Sequence, residues 1–206
     1  MEYVLVIVAS YLIGSIPNGL IIGRKFYNVD LRQFGSKNIG ATNAYRTLGP
    51  WPAFWVFLTD ALKGVAGVLI GQYIGGTALA ELTGGIGAIT GHNWSVFLKF
   101  KGGRGVATGL GVISIIAPKV TLIVFAAWAV IVYLTRYVSL ASIVAAALVP
   151  VSMWLLQARQ EFFYFGILAA VFVIVRHRPN IERLLKGEEP KIKAGGKAAS
   201  EPTKEK

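Results

Sequence analysis

Three short polar segments in this otherwise apolar chain combine residue types that bind oxyanions. The first, residues 35–46 (GSKNIGATNAYR), holds glycines, small hydroxyls, asparagines and an arginine. Glycine lets the backbone approach a ligand closely, and arginine binds a phosphate through two parallel N–H donors. The same composition is typical of a capped turn beside anionic lipid headgroups, so this segment alone leaves both interpretations open.

The second segment, residues 99–109 (KFKGGRGVATG), is a glycine-rich stretch that opens into an apolar run. A glycine-rich loop at the start of a helix presents N–H groups and a positive dipole to an anion, and Lys101 and Arg104 add charge. The Walker A spacing is absent and no strand precedes the loop, so we exclude a nucleotide-binding fold. A basic interfacial turn is the alternative.

The third segment, residues 176–189 (RHRPNIERLLKGEE), carries His177 between two arginines. Neighbouring cations disfavour the protonated imidazole, which suits a base. Pro179 and Asn180 indicate a helix start, with Glu182 in its first turn. Taken alone, a histidine beside basic residues at a helix end is usually interfacial, so its assignment depends on the other two segments.

Further polar residues lie within or near apolar runs. Asp60 and Lys63 stand three residues apart on one helical face, where isolated charges are costly, so we expect them to pair as a mainly structural feature. His92 either lines a site or bonds a neighbouring helix. Ser139 is expected to cap a helix, and Ser142, one turn later, faces the site.

Composition indicates a membrane protein. Of 206 residues, 54% are hydrophobic and 15% charged, against about a quarter charged in soluble domains. Spanning segments must be helical, because isolated strands cannot satisfy their backbone in lipid. Cysteine is absent and there are two histidines, so we expect no disulfide, metal or other cofactor. The net charge of +11 lies between and after apolar runs, which favours a lipid surface over nucleic acid.

Hydropathy and charge together predict the topology. Clear apolar runs occupy residues 2–23, 51–74, 119–135, 139–157 and 162–175, with weaker ones at 82–98 and 105–117. Five and seven crossings are both compatible with them. Seven crossings with the N-terminus outside and the C-terminus in the cytoplasm place most of the 21 basic residues inside, as the positive-inside rule requires. We predict one membrane domain over residues 1–193 and a disordered tail over 194–206.

The segments also resemble one known family in combination. The chain is similar to the bacterial acyl-phosphate:glycerol-3-phosphate acyltransferases of the PlsY type. Besides residues 35–46 and 176–189, the matching pieces are SIPNG at 15–19, DALKG at 60–64, GHNWSVFLKFKGGRGVATG at 91–109 and RYVSLAS at 136–142. They follow the family's order over residues 1–189. Lys37, Ser95 and Arg104 depart from the usual Gly, Pro and Lys; Arg104 keeps the charge but binds as a fork.

The resemblance implies a fold of seven membrane helices and an active site that opens to the cytoplasm of a bacterium. It implies transfer of a fatty acyl group from acyl phosphate to the sn-1 hydroxyl of glycerol 3-phosphate, giving lysophosphatidic acid and phosphate. The partners are these two substrates, the bilayer and the enzyme that forms acyl phosphate. No nucleic acid is expected to bind.

The resemblance also assigns roles to individual residues. His177, Ser36 and Arg104 are the catalytic candidates, although either His177 or a substrate phosphate oxygen serves as the base. The candidates for binding glycerol 3-phosphate are Ser36, Asn38, Thr42, Asn43, Arg46, Ser142, His177 and Asn180. Those for acyl phosphate are His92, Lys101, Gly102, Gly103, Arg104, Gly105 and Thr108.

Three other functions are weighed against this one. A transporter of phosphate or an organophosphate suits a buried Asp60–Lys63 pair, but it predicts oxyanion groups on both membrane sides and an internal repeat that we do not see. An H-x-x-x-x-D acyltransferase has a near match in His177 and Glu182. A scaffold that binds lipid headgroups needs only the basic loops.

Overall fold

The computed structural model describes residues 1–192, and these are helical with connecting turns and loops. The predicted tail over residues 194–206 lies outside the described part of the chain. The helices are α1 (Glu2–Ser15), α2 (Asn18–Tyr27), α3 (Ala41–Leu48), α4 (Pro50–Gly75), α5 (Ala78–Asn93), α6 (Val106–Ile116), α7 (Pro118–Thr135), α8 (Val138–Leu155), α9 (Gln160–Arg176) and α10 (Arg178–Leu185).

Four helical stretches are long and apolar enough to cross a bilayer: 2–27, 50–75, 118–135 and 138–155. Helices α9 and α10 add a fifth if their pair, bent by 58°, is taken as one span. The α5 helix has 16 residues and α6 has 11. These two short helices correspond to the weaker apolar runs, so length and composition alone support four or five crossings.

Small residues bring the helices on the N-terminal side together. The α5 helix packs against both α1 and α4, and α4 also packs against α6. A Cβ on Gly84 would collide with the carbonyl oxygen of Gly67, and a Cβ on Gly111 would collide with that of Ala61. Close backbone contact of this kind is typical of helices that pack within membranes.

Large apolar side chains cover the outside of the molecule. Leu122 on α7 is 72% exposed and Trp154 on α8 is 69% exposed. Such a surface is unfavourable in water and favourable in lipid. The helices α7, α8 and α9 pack side by side, and together with α6 they enclose the apolar part of the core.

Several local predictions are corrected by the structure. The first apolar run is not one continuous helix, because Pro17 cannot donate the backbone bond that would continue α1.

Ser139 is not a cap: α8 begins at Val138, with Tyr137 at the N-cap. Glu182 is not in the first turn of α10, which begins at Arg178. The segment 35–46 is not only a loop, since its second half forms α3.

Candidate active site

All three polar segments reach one cavity of about 440 Å³. Ser36, Arg104 and His177 come from the α2–α3 connection, the α5–α6 connection and the α9–α10 junction, and all three line this cavity. Its other end is apolar and is formed by Ile113, Val124, Phe125, Val149 and Ala170. The cavity therefore joins a charged region to an apolar region.

Asn43 organises the first segment. Its side chain is buried and donates to the carbonyl oxygens of Leu31 (2.9 Å), Phe34 (3.1 Å) and Asn38 (2.8 Å), while its Oδ1 accepts from the Ser36 N–H at 2.9 Å. The Asn43 amide is thus committed to shaping the loop. This network places Ser36 at the cavity, where Asn38, Thr42 and Asn43 also contribute to the wall.

Arg46 lies on α3 and faces the same cavity. One of its terminal nitrogens donates to the carbonyl oxygen of Pro190 at 2.7 Å, which ties α3 to the segment after α10. Burial lowers the pKa of the Arg46 guanidinium. The guanidinium is therefore partly desolvated. Its N–H groups are suited to charge-assisted hydrogen bonds with a phosphate, which are stronger than hydrogen bonds between neutral groups.

The glycine loop is anchored to the end of α5. The Gly102 N–H donates to the carbonyl oxygen of Asn93 (3.1 Å) and the Gly103 N–H to that of His92 (2.9 Å). Arg176 donates to the carbonyl oxygen of Gly103 at 2.8 Å. Gly102 and Gly103 therefore use their N–H groups within the protein, which corrects the expectation that these groups face a ligand.

Arg104 and Gly105 are the members of this loop that reach the cavity wall. Burial, with smaller contributions from neighbouring arginines, lowers the pKa of Arg104 to about 10, so it remains charged at neutral pH. Gly105 has a φ of +78°, which caps α6. Among the described residues, the candidates that do not line this cavity are Lys101, Gly102, Gly103, Thr108 and Asn180.

His177 is buried at the junction of α9 and α10, with 2% of its surface exposed. Its Nδ1 lies 2.7 Å from the carbonyl oxygen of Val173. A carbonyl only accepts, so the hydrogen-bond network assigns the proton to Nδ1 and leaves Nε2 as an acceptor. Glu182 does not orient this ring, because the Val173 carbonyl occupies Nδ1 and Glu182 pairs with the Nε of Arg178 at 3.2 Å. The H-x-x-x-x-E alternative is therefore wrong.

Glu189 lines the cavity and was missed by the sequence analysis. Its oxygens accept from Asn180 Nδ2 (2.7 Å) and Arg183 Nε (2.7 Å). Burial acts to raise the pKa of Glu189, but the hydrogen bonds from Asn180 and Arg183 outweigh it, and the pKa is lowered. The sequence feature that could have identified Glu189 is its place as an acidic residue shortly after the basic helix α10.

Asp60, Lys63 and His92 form a buried cluster beside the glycine loop. Lys63 Nζ lies 2.9 Å from Asp60 Oδ1, which confirms the expected pair, and 3.1 Å from His92 Nδ1. Asp60 and His92 also reach the cavity. A Cβ on Gly103 would collide with the His92 ring at Nε2, so the loop lies directly against that nitrogen.

Ser142 lies on the wall where the two regions meet. Its hydroxyl donates to the carbonyl oxygen of Val138 (2.8 Å) and accepts from Trp128 Nε1 (3.3 Å). Across the described residues, no group of three His, Cys, Asp or Glu side chains is arranged to hold a metal ion. The polar groups that line the cavity are arginine, imidazole, hydroxyl, amide and carboxylate groups.

Comparison with known proteins gives one consistent family. The family model described as "Glycerol-3-phosphate acyltransferase" matches residues 4–187. The chain is 46% identical to a glycerol-3-phosphate acyltransferase of Prochlorococcus marinus (strain MIT 9301), covering 92% of this chain and 97% of that one. It is 48% identical to glycerol-3-phosphate acyltransferase 2 of Moorella thermoacetica, with the same coverage of both chains.

Two solved structures are similar throughout. Both are crystal structures of PlsY (YgiH), described as an integral membrane glycerol 3-phosphate acyltransferase. The glycerol 3-phosphate form matches with a TM-score of 0.87 and 37% identity, and the lysophosphatidic acid form with 0.86 and 36%. Each match covers 94% of this chain and 96% of the other.

Proposed function

The chain belongs to the glycerol-3-phosphate acyltransferase family of the PlsY type, and on this premise we propose that its acyl donor is a fatty acyl phosphate. The protein is a multi-pass integral membrane enzyme that acylates glycerol 3-phosphate. Acylation of one hydroxyl of that substrate gives lysophosphatidic acid. The acceptor hydroxyl is the one at sn-1, and the second product is inorganic phosphate.

One observation carries the choice of donor: Ser36, Arg104 and His177 line a single cavity that is charged at one end and apolar at the other. An acyl phosphate has this same division, with a dianionic head and a long hydrocarbon chain. Glycerol 3-phosphate supplies a second phosphate. Binding both reactants in one cavity orients them and removes much of the entropic barrier to their reaction.

The reaction needs no covalent acyl-enzyme, because phosphate is a good leaving group. The glycerol hydroxyl oxygen forms a bond to the acyl carbonyl carbon, and the bond from that carbon to the bridging phosphate oxygen breaks. The hydroxyl proton passes to a base, either His177 Nε2 or a phosphate oxygen of the substrate. Arg104 stabilises the negative charge that develops on the reacting oxygens and the departing phosphate.

The two substrates divide the charged region. Ser36, Arg46 and Ser142 bind the phosphate of glycerol 3-phosphate. Asn180 does not line the cavity and acts on that side through its hydrogen bond to Glu189. Arg104, with His92 beside it, binds the acyl phosphate head. Lys101 is exposed and attracts the anionic donor to the loop, whereas Gly102, Gly103 and Thr108 support the loop from behind. The acyl chain extends between α6, α7, α8 and α9.

The cavity is proposed to open to the cytoplasm of a bacterial cell, with seven crossings and the N-terminus outside. The order of the helices supports this topology, because Glu2, Glu81, Lys119 and Glu161 lie in the first turns of their helices, whereas the three segments follow the ends of α2, α5 and α9. Tyr3 Oη lies 3.2 Å from Thr77 Oγ1, which joins the start of α1 to the α4–α5 turn at this other end. Residues 1–193 then form one domain.

The experiment is turnover of the purified protein in detergent or vesicles with acyl phosphate and glycerol 3-phosphate. We expect equimolar release of phosphate and lysophosphatidic acid. We expect no product when acyl phosphate is replaced by a thioester donor, either acyl-CoA or an acylated acyl carrier protein. Product formed from either thioester without acyl phosphate would refute the proposed donor. Passage of labelled phosphate into vesicles without any product would favour a transporter instead.

A further inference from the structure

The buried ammonium of Lys63 contacts three acceptors from three parts of the chain. These are Asp60 Oδ1 at 2.9 Å, the carbonyl oxygen of Ile16 at 2.9 Å and His92 Nδ1 at 3.1 Å. The Ile16 carbonyl is available because Pro17 interrupts the helix after α1. An ammonium group has three N–H donors and no acceptor, so each contact uses one donor.

This arrangement determines where His92 carries its proton. His92 Nδ1 faces a group that only donates, so Nδ1 must accept and the proton must lie on Nε2. A doubly protonated ring would place an imidazolium N–H against the Lys63 ammonium at 3.1 Å. Asp60 does not offset this, because its Oδ1 lies 3.7 Å from Nδ1 and is already shared with Lys63 and with Asn18 Nδ2 at 3.3 Å.

The protonated side of the His92 ring faces the glycine loop, next to Arg104. His92 is 4% exposed, contributes to the cavity wall and has its Nε2 directly against Gly103. Arg104 is the next residue of that loop and lines the same cavity. A neutral N–H donor at this point complements a phosphate anion without adding a further buried charge.

We propose that Lys63, held by Asp60, is a positioning residue that fixes His92 as an Nε2–H donor to the phosphate of the acyl donor. The inference rests on the proposed function for the identity of that phosphate. The two histidines of the chain then hold opposite tautomers. His177 donates through Nδ1 and accepts at Nε2, whereas His92 accepts at Nδ1 and donates through Nε2, so one suits proton removal and the other anion binding.

Two histidines in 206 residues make the tautomers directly observable. With ¹⁵N-labelled histidine, NMR of the purified protein should show one ring protonated at Nδ1 and one at Nε2. His92→Gln should remove the Nε2–H signal, and His177→Gln should remove the other. Inorganic phosphate should shift the Nε2 signal of His92. A proton on Nδ1 of His92 in the wild-type protein would overturn the proposal, whatever donor the enzyme uses.

The second test separates positioning from charge balance. In Asp60→Leu/Lys63→Met both buried charges are removed together, a change that packed interiors often tolerate. We expect the double variant to fold, to lose the single His92 tautomer and to raise KM for acyl phosphate about tenfold, with a smaller change in KM for glycerol 3-phosphate. An unchanged tautomer and an unchanged KM would show that the pair is only structural.

Coupling to His92 provides the matched control. Glutamine at position 92 carries an amide N–H₂ whose orientation does not depend on Lys63. In the His92→Gln background, removal of the Asp60–Lys63 pair should therefore change KM for acyl phosphate by less than about twofold, because the residues act as one unit. A full additional tenfold increase would assign the effect of the pair to something other than His92.

Discussion

His177 Nδ1 lies 2.7 Å from the carbonyl oxygen of Val173, one turn earlier on α9. The bond fixes the buried ring, which lines the cavity, and leaves Nε2 as an acceptor. His177→Ala should therefore lower kcat by about 10²–10⁴ if Nε2 removes the hydroxyl proton. Steady-state kinetics with acyl phosphate measures this effect. Turnover close to wild type would make a substrate phosphate the base.

Gly103 is sterically restricted by His92. In Gly103→Ala the new methyl group would collide with the imidazole ring, so the ring or the loop must move. We expect weaker inhibition by inorganic phosphate and a KM for acyl phosphate raised about tenfold, equivalent to the loss of one charge-assisted hydrogen bond.

Gly109→Ala is the matched control for that substitution, because a Cβ there meets no atom within 4 Å. It lies in α6, where alanine also favours the helix, and it lines the cavity, so inorganic phosphate rather than acyl phosphate is the probe. This variant should keep the wild-type affinity for phosphate. If both alanine variants bind phosphate equally, contact between His92 and the loop does not matter for anion binding.

Arg104 occupies a position at which lysine is usual in this family. Arg104→Lys keeps the positive charge and should keep KM for acyl phosphate within a few-fold of wild type. Arg104→Met removes the charge from the cavity and should raise that KM by roughly 10- to 100-fold, as expected for a hydrogen bond to a charged group. A wild-type KM for acyl phosphate in the methionine variant would exclude Arg104 from binding the donor.

Glu189 should contribute stability that depends on pH. Its pKa in the folded protein is lower than its ordinary value of 4.5. The contribution is therefore fully present above pH 4.5 and is lost as the pH falls through the lower, folded value. Glu189→Gln should lower the unfolding free energy by about 1–3 kcal/mol at neutral pH, because Asn180 and Arg183 lose an ionised acceptor.

Thermal unfolding in detergent at neutral pH and at a series of acidic pH values below 4.5 measures this dependence, since protonation of Glu189 removes the contribution. The difference in Tm between wild type and Glu189→Gln should shrink at the acidic pH values. Glu161→Gln is the comparison, because its carboxylate is half exposed and lies 3.5 Å from Arg159. A difference in Tm that is independent of pH would show that the charge of Glu189 does not stabilise the fold.

Much of the architecture was predictable because it follows from local properties. Hydropathy located every helix from α4 to α9, and the spacing of Asp60 and Lys63 predicted their pair. The predictions failed where a boundary depended on one residue. Pro17 interrupts the helix after α1 within a run that hydropathy treats as one segment. Helix α8 begins one residue before Ser139 because the backbone after Arg136 has already turned.

The residue types alone determined that this protein lies in a membrane and indicated that it binds oxyanions, since composition, hydropathy and side-chain chemistry do not depend on distant contacts. Which donors face the ligand was decided only by tertiary structure. Gly102 and Gly103 turn their N–H groups inward because α5 offers two carbonyls. Lys63 directs His92 because α1, α4 and α5 meet at one ammonium group. Such assignments arise from acceptors far apart in the chain, whose proximity no local pattern encodes.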